Sequence, residues 1–199
     1  MKERPLMLNV KRFNALNPVL VTVCFLLVAL LLADFWFVRR YHFVDVKGGS
    51  MENTLFTGDV LYADREATPQ RGDIIVIDVT GNENFTQDAF GGRSFIIKRL
   101  IALEGDTVKS ANGVLYVRYA GEEEFVALDE PYTKGETGDI RETVVGEGEI
   151  FFLGDHRNTS TDSEEVGCLP YADIYGVVPE WALKNKEIIK SWRGFLFGE

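Results

Sequence analysis

From Pro18 to Val38 the chain is almost wholly apolar, 21 residues whose one ionisable side chain beyond a cysteine is Asp34. At about 1.5 Å of rise per residue, such a run makes a helix roughly 31 Å long, enough to cross the hydrocarbon core of a bilayer. A cleaved export signal is the rival reading, but the run is long for an h-region and no clear small-x-small cleavage site follows it. The sequence therefore predicts an uncleaved anchor over 18–38. Asp34 sits one turn from its end beside Trp36, an interfacial position. Lys2, Arg4, Lys11 and Arg12 precede the run and Arg39 and Arg40 follow it. That excess of positive charge on the leading side predicts a cytoplasmic tail over 1–17 and an extracytoplasmic domain over 41–199.

Charge narrows what that domain can bind. Residues 1–40 hold six Lys/Arg and two Asp/Glu of the chain's 21 and 31, so the remainder carries a net charge of about −14. Such a surface lacks the basic footprint that phosphate backbones require, and no nucleic-acid partner is expected. With His42 and His156 as the only histidines, no metal site is expected, and no sequence feature calls for a cofactor. Cys24 falls in the apolar run and Cys168 far from it, which argues against a structural disulfide.

Beyond Tyr41 the pattern is that of strands and turns. Ile74-Ile75-Val76-Ile77 is a continuous β-branched run, as expected of a strand covered on both faces. Residues 80–94 read as a polar loop, and Phe95–Ile101 as a strand that carries Lys98. Asn112-Gly113 between Thr107–Ser110 and Val114–Val117 is a hairpin signal, because both turn positions accept positive φ. Residues 119–148 are acidic and turn-rich and read as a mobile, non-catalytic excursion. The fold class is mainly β, with a small insertion over about 107–148. The tail from Trp181 reads as a short surface helix covering the domain, with a membrane-surface helix as the other reading.

Three blocks carry chemistry. The first, Val46-Lys47-Gly48-Gly49-Ser50-Met51-Glu52-Asn53-Thr54-Leu55, places a serine after two glycines, where backbone N–H groups can approach a substrate carbonyl; alone, it is also an ordinary loop. The second sets Lys98 among Phe95, Ile96, Ile97, Leu100 and Ile101. A lysine serves as general base only when neutral, and burial is what lowers its pKa from about 10.4; a solvent-facing strand lysine is the bland alternative. The third, Gly154-Asp155-His156-Arg157-Asn158-Thr159-Ser160-Thr161-Asp162-Ser163, is rich in side chains that build polar turns.

In this order, with Arg71-Gly72-Asp73-Ile74-Ile75-Val76 and Gly105-Asp106, the blocks resemble the bacterial type I signal peptidases, in a compact form similar to those of Gram-positive bacteria. The resemblance covers most of the chain. It implies a membrane-anchored serine endopeptidase that removes signal peptides from exported precursors, with Ser50 as nucleophile and Lys98 as general base. It further implies that Ser160 orients the lysine and that Asp162 supports the site. The oxyanion donors would be Ser50 N–H and the backbone at Gly48, which stands where some relatives place a serine. Val44, Val46, Met51, Leu55, Ile96 and Ile97 match positions lining shallow apolar pockets, which implies cleavage after Ala-x-Ala-like sequences. The chain departs from the family pattern at Asn53 (proline), Ala102 and Glu104 (glycine and proline), His156 (asparagine) and Glu164 (arginine). Arg157 is a candidate to compensate in part for that missing arginine. The rival mechanism is a Ser50, His156, Asp155 or Asp162 triad. The rival functions are a self-cleaving protease of the repressor type, and a catalytically weak or inactive membrane-tethered peptide-binding β-domain.

Overall fold

The structure is a computed structural model that describes residues 18–86 and 92–198. The tail predicted over 1–17 and the tip of the 80–94 loop lie outside the described residues. The chain divides into two compact units between Arg40 and Tyr41. In the first, helix α1 spans Pro18–Arg40, two residues past the predicted anchor, and has a mean hydropathy of 2.6 with no buried residue. Apolar on every side, α1 has the composition and length of a bilayer-crossing helix.

The second unit is built on a seven-stranded antiparallel sheet. Its strands, in chain order, are β1 (Tyr41–Asp45), β2 (Val60–Asp64), β3 (Ile74–Asp78), β4 (Phe95–Leu103), β9 (Glu149–Leu153), β10 (Leu169–Pro170) and β11 (Ile174–Val177), and their spatial order is β1-β2-β11-β3-β4-β9-β10. Between β4 and β9 the chain makes a second, four-stranded sheet from β5 (Thr107–Ala111), β6 (Val114–Arg118), β7 (Val126–Ala127) and β8 (Thr143–Val144). The β5–β6 hairpin turns at Asn112 and Gly113, both at positive φ, as the Asn-Gly pair predicts.

Apolar burial explains why β3 and β4 read as unbroken apolar runs. Ile74 and Val76 face a cluster formed by Val46, Met51, Leu55 and Leu61, which Ala182 of α3 (Glu180–Lys184) and Ile189 of α4 (Lys186–Phe197) close. Ile75 and Ile77 face the opposite cluster with Leu100, Ile150 and Phe152. With both faces covered, every position is paid for by apolar burial, roughly 1.5–3 kcal/mol for each large side chain fully removed from water. The β4–β9 register shifts between Leu100 and Ala102. Beyond that bulge Ile101 and Ala102 join Phe151, Leu153, Val108 and Leu115 in a third cluster, between the end of the main sheet and the small one. One strand thus carries Lys98 in the main sheet and then anchors the insertion.

Candidate active site

Strand β4 delivers Lys98 to the site. Its neighbour across β3 is Ile75, so the side chain leaves the strand on the apolar face shared with Ile96 and Leu100 and is 4% exposed. Its Nζ donates a 2.7 Å hydrogen bond to Ser160 Oγ. Burial pushes the Lys98 pKa down from its ordinary 10.5 to about 8, and the negative charges of Asp162, Asp155 and Glu165 limit the fall. A lysine so placed is substantially neutral in mildly alkaline solution.

Ser50 stands in the turn that follows β1 and is half-buried. His156 N–H donates to its carbonyl oxygen at 3.0 Å. Gly154 brings this serine loop to the lysine's partner: a Cβ at Gly154 would fall on both the Ser160 side chain and the Ser50 carbonyl. A glycine is needed there for close approach, because the serine loop and the acidic block meet over its Cα. Among the described residues neither the N–H nor the hydroxyl of Ser50 makes a hydrogen bond, and the bond from Lys98 goes to Ser160, not to Ser50. An unengaged N–H and hydroxyl are what an incoming carbonyl requires. Gly48 adopts φ +81, with its carbonyl held by Thr57 Oγ1 at 3.0 Å.

Asp162 is buried, with one carboxylate oxygen accepting Gly154 N–H at 2.9 Å and the other accepting Glu164 N–H at 3.2 Å, where it caps the short helix α2 (Ser163–Val166). Arg157 does not compensate for the arginine absent at position 164. Its guanidinium forms a bidentate pair with Glu130 (3.1 and 2.5 Å) and bonds Thr137 and the Gly154 carbonyl. Asp162 is therefore held by backbone donors, and among the described residues it makes no hydrogen bond to Lys98.

His156 is equally engaged elsewhere. Its Nδ1 lies 3.2 Å from the Gly49 carbonyl and 3.5 Å from Glu52 Oε2. Asp155 belongs to Arg99, which grips it through two nitrogens at 2.8 and 2.6 Å, while Thr54 Oγ1 donates to the same carboxylate at 2.5 Å. No hydrogen bond joins His156 to either aspartate among the described residues, so the triad has no relay.

The six pocket candidates do not converge on one place. Val44, Val46, Met51, Leu55 and Ile97 belong to the first cluster, where Met51 and Leu55 are fully buried and only Val44 and Ile97 keep partial exposure. Ile96 packs on the opposite cluster, since successive strand residues point to opposite faces. Two clefts of about 280 and 300 Å³ are lined by Arg65, Ile174 and Tyr175 and contain none of the site residues.

The segment read as a mobile, non-catalytic excursion has a stretch that runs along the site. Within 119–148, Lys134 N–H donates to the Asp155 carbonyl at 2.7 Å and Arg157 N–H to the Lys134 carbonyl at 2.9 Å, beside a parallel bridge from Lys134 to His156. The Tyr132 ring lies 3.7 Å beneath the Arg99 guanidinium. Asn53, His156 and Glu164 all meet this same strap, residues 130–138. Asn53, at φ +92, donates to the Tyr132 carbonyl at 3.0 Å. His156 shares Glu52 with Lys134 Nζ, which bonds that carboxylate at 2.7 Å. Glu164 presses on Gly138 and accepts its N–H, and burial with Asp162 and Glu165 nearby raises its pKa. Sequence reasoning missed Arg99 and Glu130 as organisers of the site. Their signal was general: a cation next to an apolar strand core, or on a buried block, has to find a carboxylate.

A family model described as signal peptidase, peptidase S26, matches residues 17–181. A probable signal peptidase I-1 of Synechocystis sp. is 34% identical over 155 residues, 76% of this chain and 74% of that protein. Thylakoidal processing peptidase 1 of Arabidopsis thaliana is 32% identical over 133 residues, 64% of this chain, and the match spans 37% of the plant protein. A crystal structure of a signal peptidase I from Enterococcus faecalis V583 aligns with a TM-score of 0.43 at 30% identity, covering 57% of this chain and 98% of that one.

Proposed function

This chain belongs to the signal peptidase family, peptidase S26, and from that premise we propose that it is a Ser-Lys endopeptidase cleaving signal peptides from exported precursors. Ser50 is the nucleophile and Lys98 the general base. Neutral Lys98 takes the Ser50 proton as Oγ attacks the scissile carbonyl, and the resulting oxyanion is held by the free Ser50 N–H with the backbone at Gly48. As the tetrahedral intermediate collapses, protonated Lys98 returns the proton to the departing amine, leaving an acyl-enzyme on Ser50. Water, deprotonated by the same lysine, then releases the signal peptide and restores the hydroxyl.

The observation that carries this reading is Lys98, buried in β4, bonded to Ser160 and lowered to a pKa of about 8. Ser160 aims the amine, and Asp162 limits the fall in its pKa while fastening Gly154 beneath the serine loop. That Lys98 reaches Ser160 and not Ser50 without substrate fits the looser geometry common to unliganded active sites. Val44 and Ile97, half-exposed over Val46, Met51 and Leu55, offer a shallow apolar floor for small side chains, which favours Ala-x-Ala-like junctions; Ile96 would contribute from the strand's other face. Helix α1 is the anchor, with residues 1–17 cytoplasmic and the domain from Tyr41 outside, so that substrates emerging from the bilayer meet the catalytic domain.

The same missing Ser50–Lys98 bond favours a second reading, a membrane-tethered domain that binds signal peptides without cutting them. Incubation of the solubilised full chain with a precursor carrying an Ala-x-Ala junction separates the two. A discrete product, lost in Ser50→Ala and Lys98→Arg, supports the enzyme; binding without product supports the module. Protease added outside right-side-out vesicles should digest the chain beyond Tyr41, and protection of that domain would reverse the topology.

A further inference from the structure

The Gly49 carbonyl and the Ser50 N–H belong to one planar peptide unit. In a trans unit the two groups point in opposite directions, so whatever holds the carbonyl also aims the N–H. That carbonyl has two donors here: Glu52 N–H at 3.1 Å, from within the turn, and His156 Nδ1 at 3.2 Å, from the polar block 107 residues away. A carbonyl oxygen only accepts, so Nδ1 of this imidazole carries the proton. The backbone N–H of His156 donates to the Ser50 carbonyl at 3.0 Å. His156 thus grips the carbonyls on both sides of the Ser50 α-carbon, while the Ser50 N–H between them makes no hydrogen bond among the described residues.

We propose that His156 is a positioning residue for the oxyanion donor: its imidazole turns and polarises the Gly49-Ser50 peptide so that the Ser50 N–H meets the charge developing on the scissile carbonyl. The inference rests on the Ser-Lys reading above and adds to it a residue that touches neither the substrate nor the transferred proton. Two effects act together. The glycine pair Gly48-Gly49 leaves the loop free to rotate this peptide, and a side chain anchored in another block removes that freedom before substrate arrives. A hydrogen bond to the carbonyl oxygen also draws electron density through the amide, which makes its N–H the better donor. The imidazole is held in turn. Its Nδ1 lies 3.5 Å from Glu52 Oε2, and Lys134 Nζ bonds that same oxygen at 2.7 Å. A Cβ at Gly49 would come to 3.0 Å from Glu52 Oε1, so this carboxylate lies close against the peptide that it helps to fix.

Substitutions of His156 separate a donor from a space-filler. His156→Asn puts an amide N–H as many bonds from Cα as Nδ1 is, whereas His156→Leu fills similar space without a donor. The solubilised full chain is assayed on a short peptide with an Ala-x-Ala junction, and the binding of two probes is measured: a peptide aldehyde ending in that sequence, and the corresponding alcohol. Addition of Ser50 Oγ to the aldehyde carbon, with the serine proton passing to Lys98, sets an oxyanion where the substrate's would form; the alcohol cannot react. His156→Asn should keep kcat within about threefold of the parent. His156→Leu should lose about tenfold or more in kcat and bind the aldehyde about tenfold more weakly, with KM and alcohol affinity unchanged. If it proves unfolded in a thermal melt, His156→Ser, too short to reach Gly49, takes its place with the same losses expected. A donor-free variant as fast as the parent overturns the inference and leaves Ser50 and Lys98 standing. Equal slowing of His156→Asn and His156→Leu, or equal weakening of both probes, also overturns it, because neither depends on a donor aimed at the peptide. A parent chain that forms no product overturns the Ser-Lys reading and this inference with it.

Discussion

Lys98 Nζ and Ser160 Oγ lie 2.7 Å apart, one from the interior of a strand and the other from a polar block 62 residues further on. That bond fixes where a neutral amine points. Ser160→Ala should therefore lower kcat for a signal-peptide substrate by about tenfold to a hundredfold, with KM and thermal stability little changed, because an orienting bond is lost and no large core group is removed. Steady-state kinetics on purified protein checks it, and an unchanged kcat would remove Ser160 from the site.

The fold was legible wherever burial leaves a period or a run in the sequence. Ile74–Ile77 announced a strand covered on both faces, Asn112-Gly113 its hairpin, and Pro18–Val38 its helix. The site was legible only in its parts. Ser50, Lys98 and Ser160 stand out by residue type and neighbours, but nothing local indicates that Arg99 will pair with Asp155, 56 residues away. Glu130 is one acid in a segment full of them, and only the fold singles it out by laying residues 130–138 against Arg157. Low apolar content made that segment look detached, whereas polar and charged side chains are what fasten it.

Asn53 joins an unusual backbone to a bond across to the strap. Its φ of +92 is closed to proline, whose ring fixes φ near −65°, and its amide reaches the Tyr132 carbonyl. Asn53→Pro, the residue that the resemblance implies here, should thus cost about 2 kcal/mol or more of stability and much of the activity, while Asn53→Gly, which accepts the backbone, should stay within about 1 kcal/mol of the parent. Chemical denaturation of the two variants checks this. A proline variant as stable as the parent would show that the serine loop does not need that backbone.

Keeping Lys98 buried should cost stability. Its pKa falls from 10.5 in the unfolded chain to about 8 in the folded one, so below pH 8 both states hold the proton and folding bears the full penalty, about 3 kcal/mol. Between the two values the penalty fades, and above 10.5 it is gone. Lys98→Met, nearly isosteric and uncharged, should abolish cleavage and raise stability at pH 7 by about 1–3 kcal/mol, with the gain shrinking as pH climbs past 8. A destabilised methionine variant at pH 7 would mean that the lysine's contacts outweigh its desolvation.

The most direct test of the central claim is the pH dependence of kcat/KM for cleavage of an Ala-x-Ala precursor by the full chain. A buried lysine base must lose its proton before it can act, so the rate should rise with pH through an inflection near 8, and the same inflection should persist in His156→Asn. A profile that levels off near 6.5, the ordinary value for histidine, or an inflection that disappears with His156, would contradict Lys98 as the base.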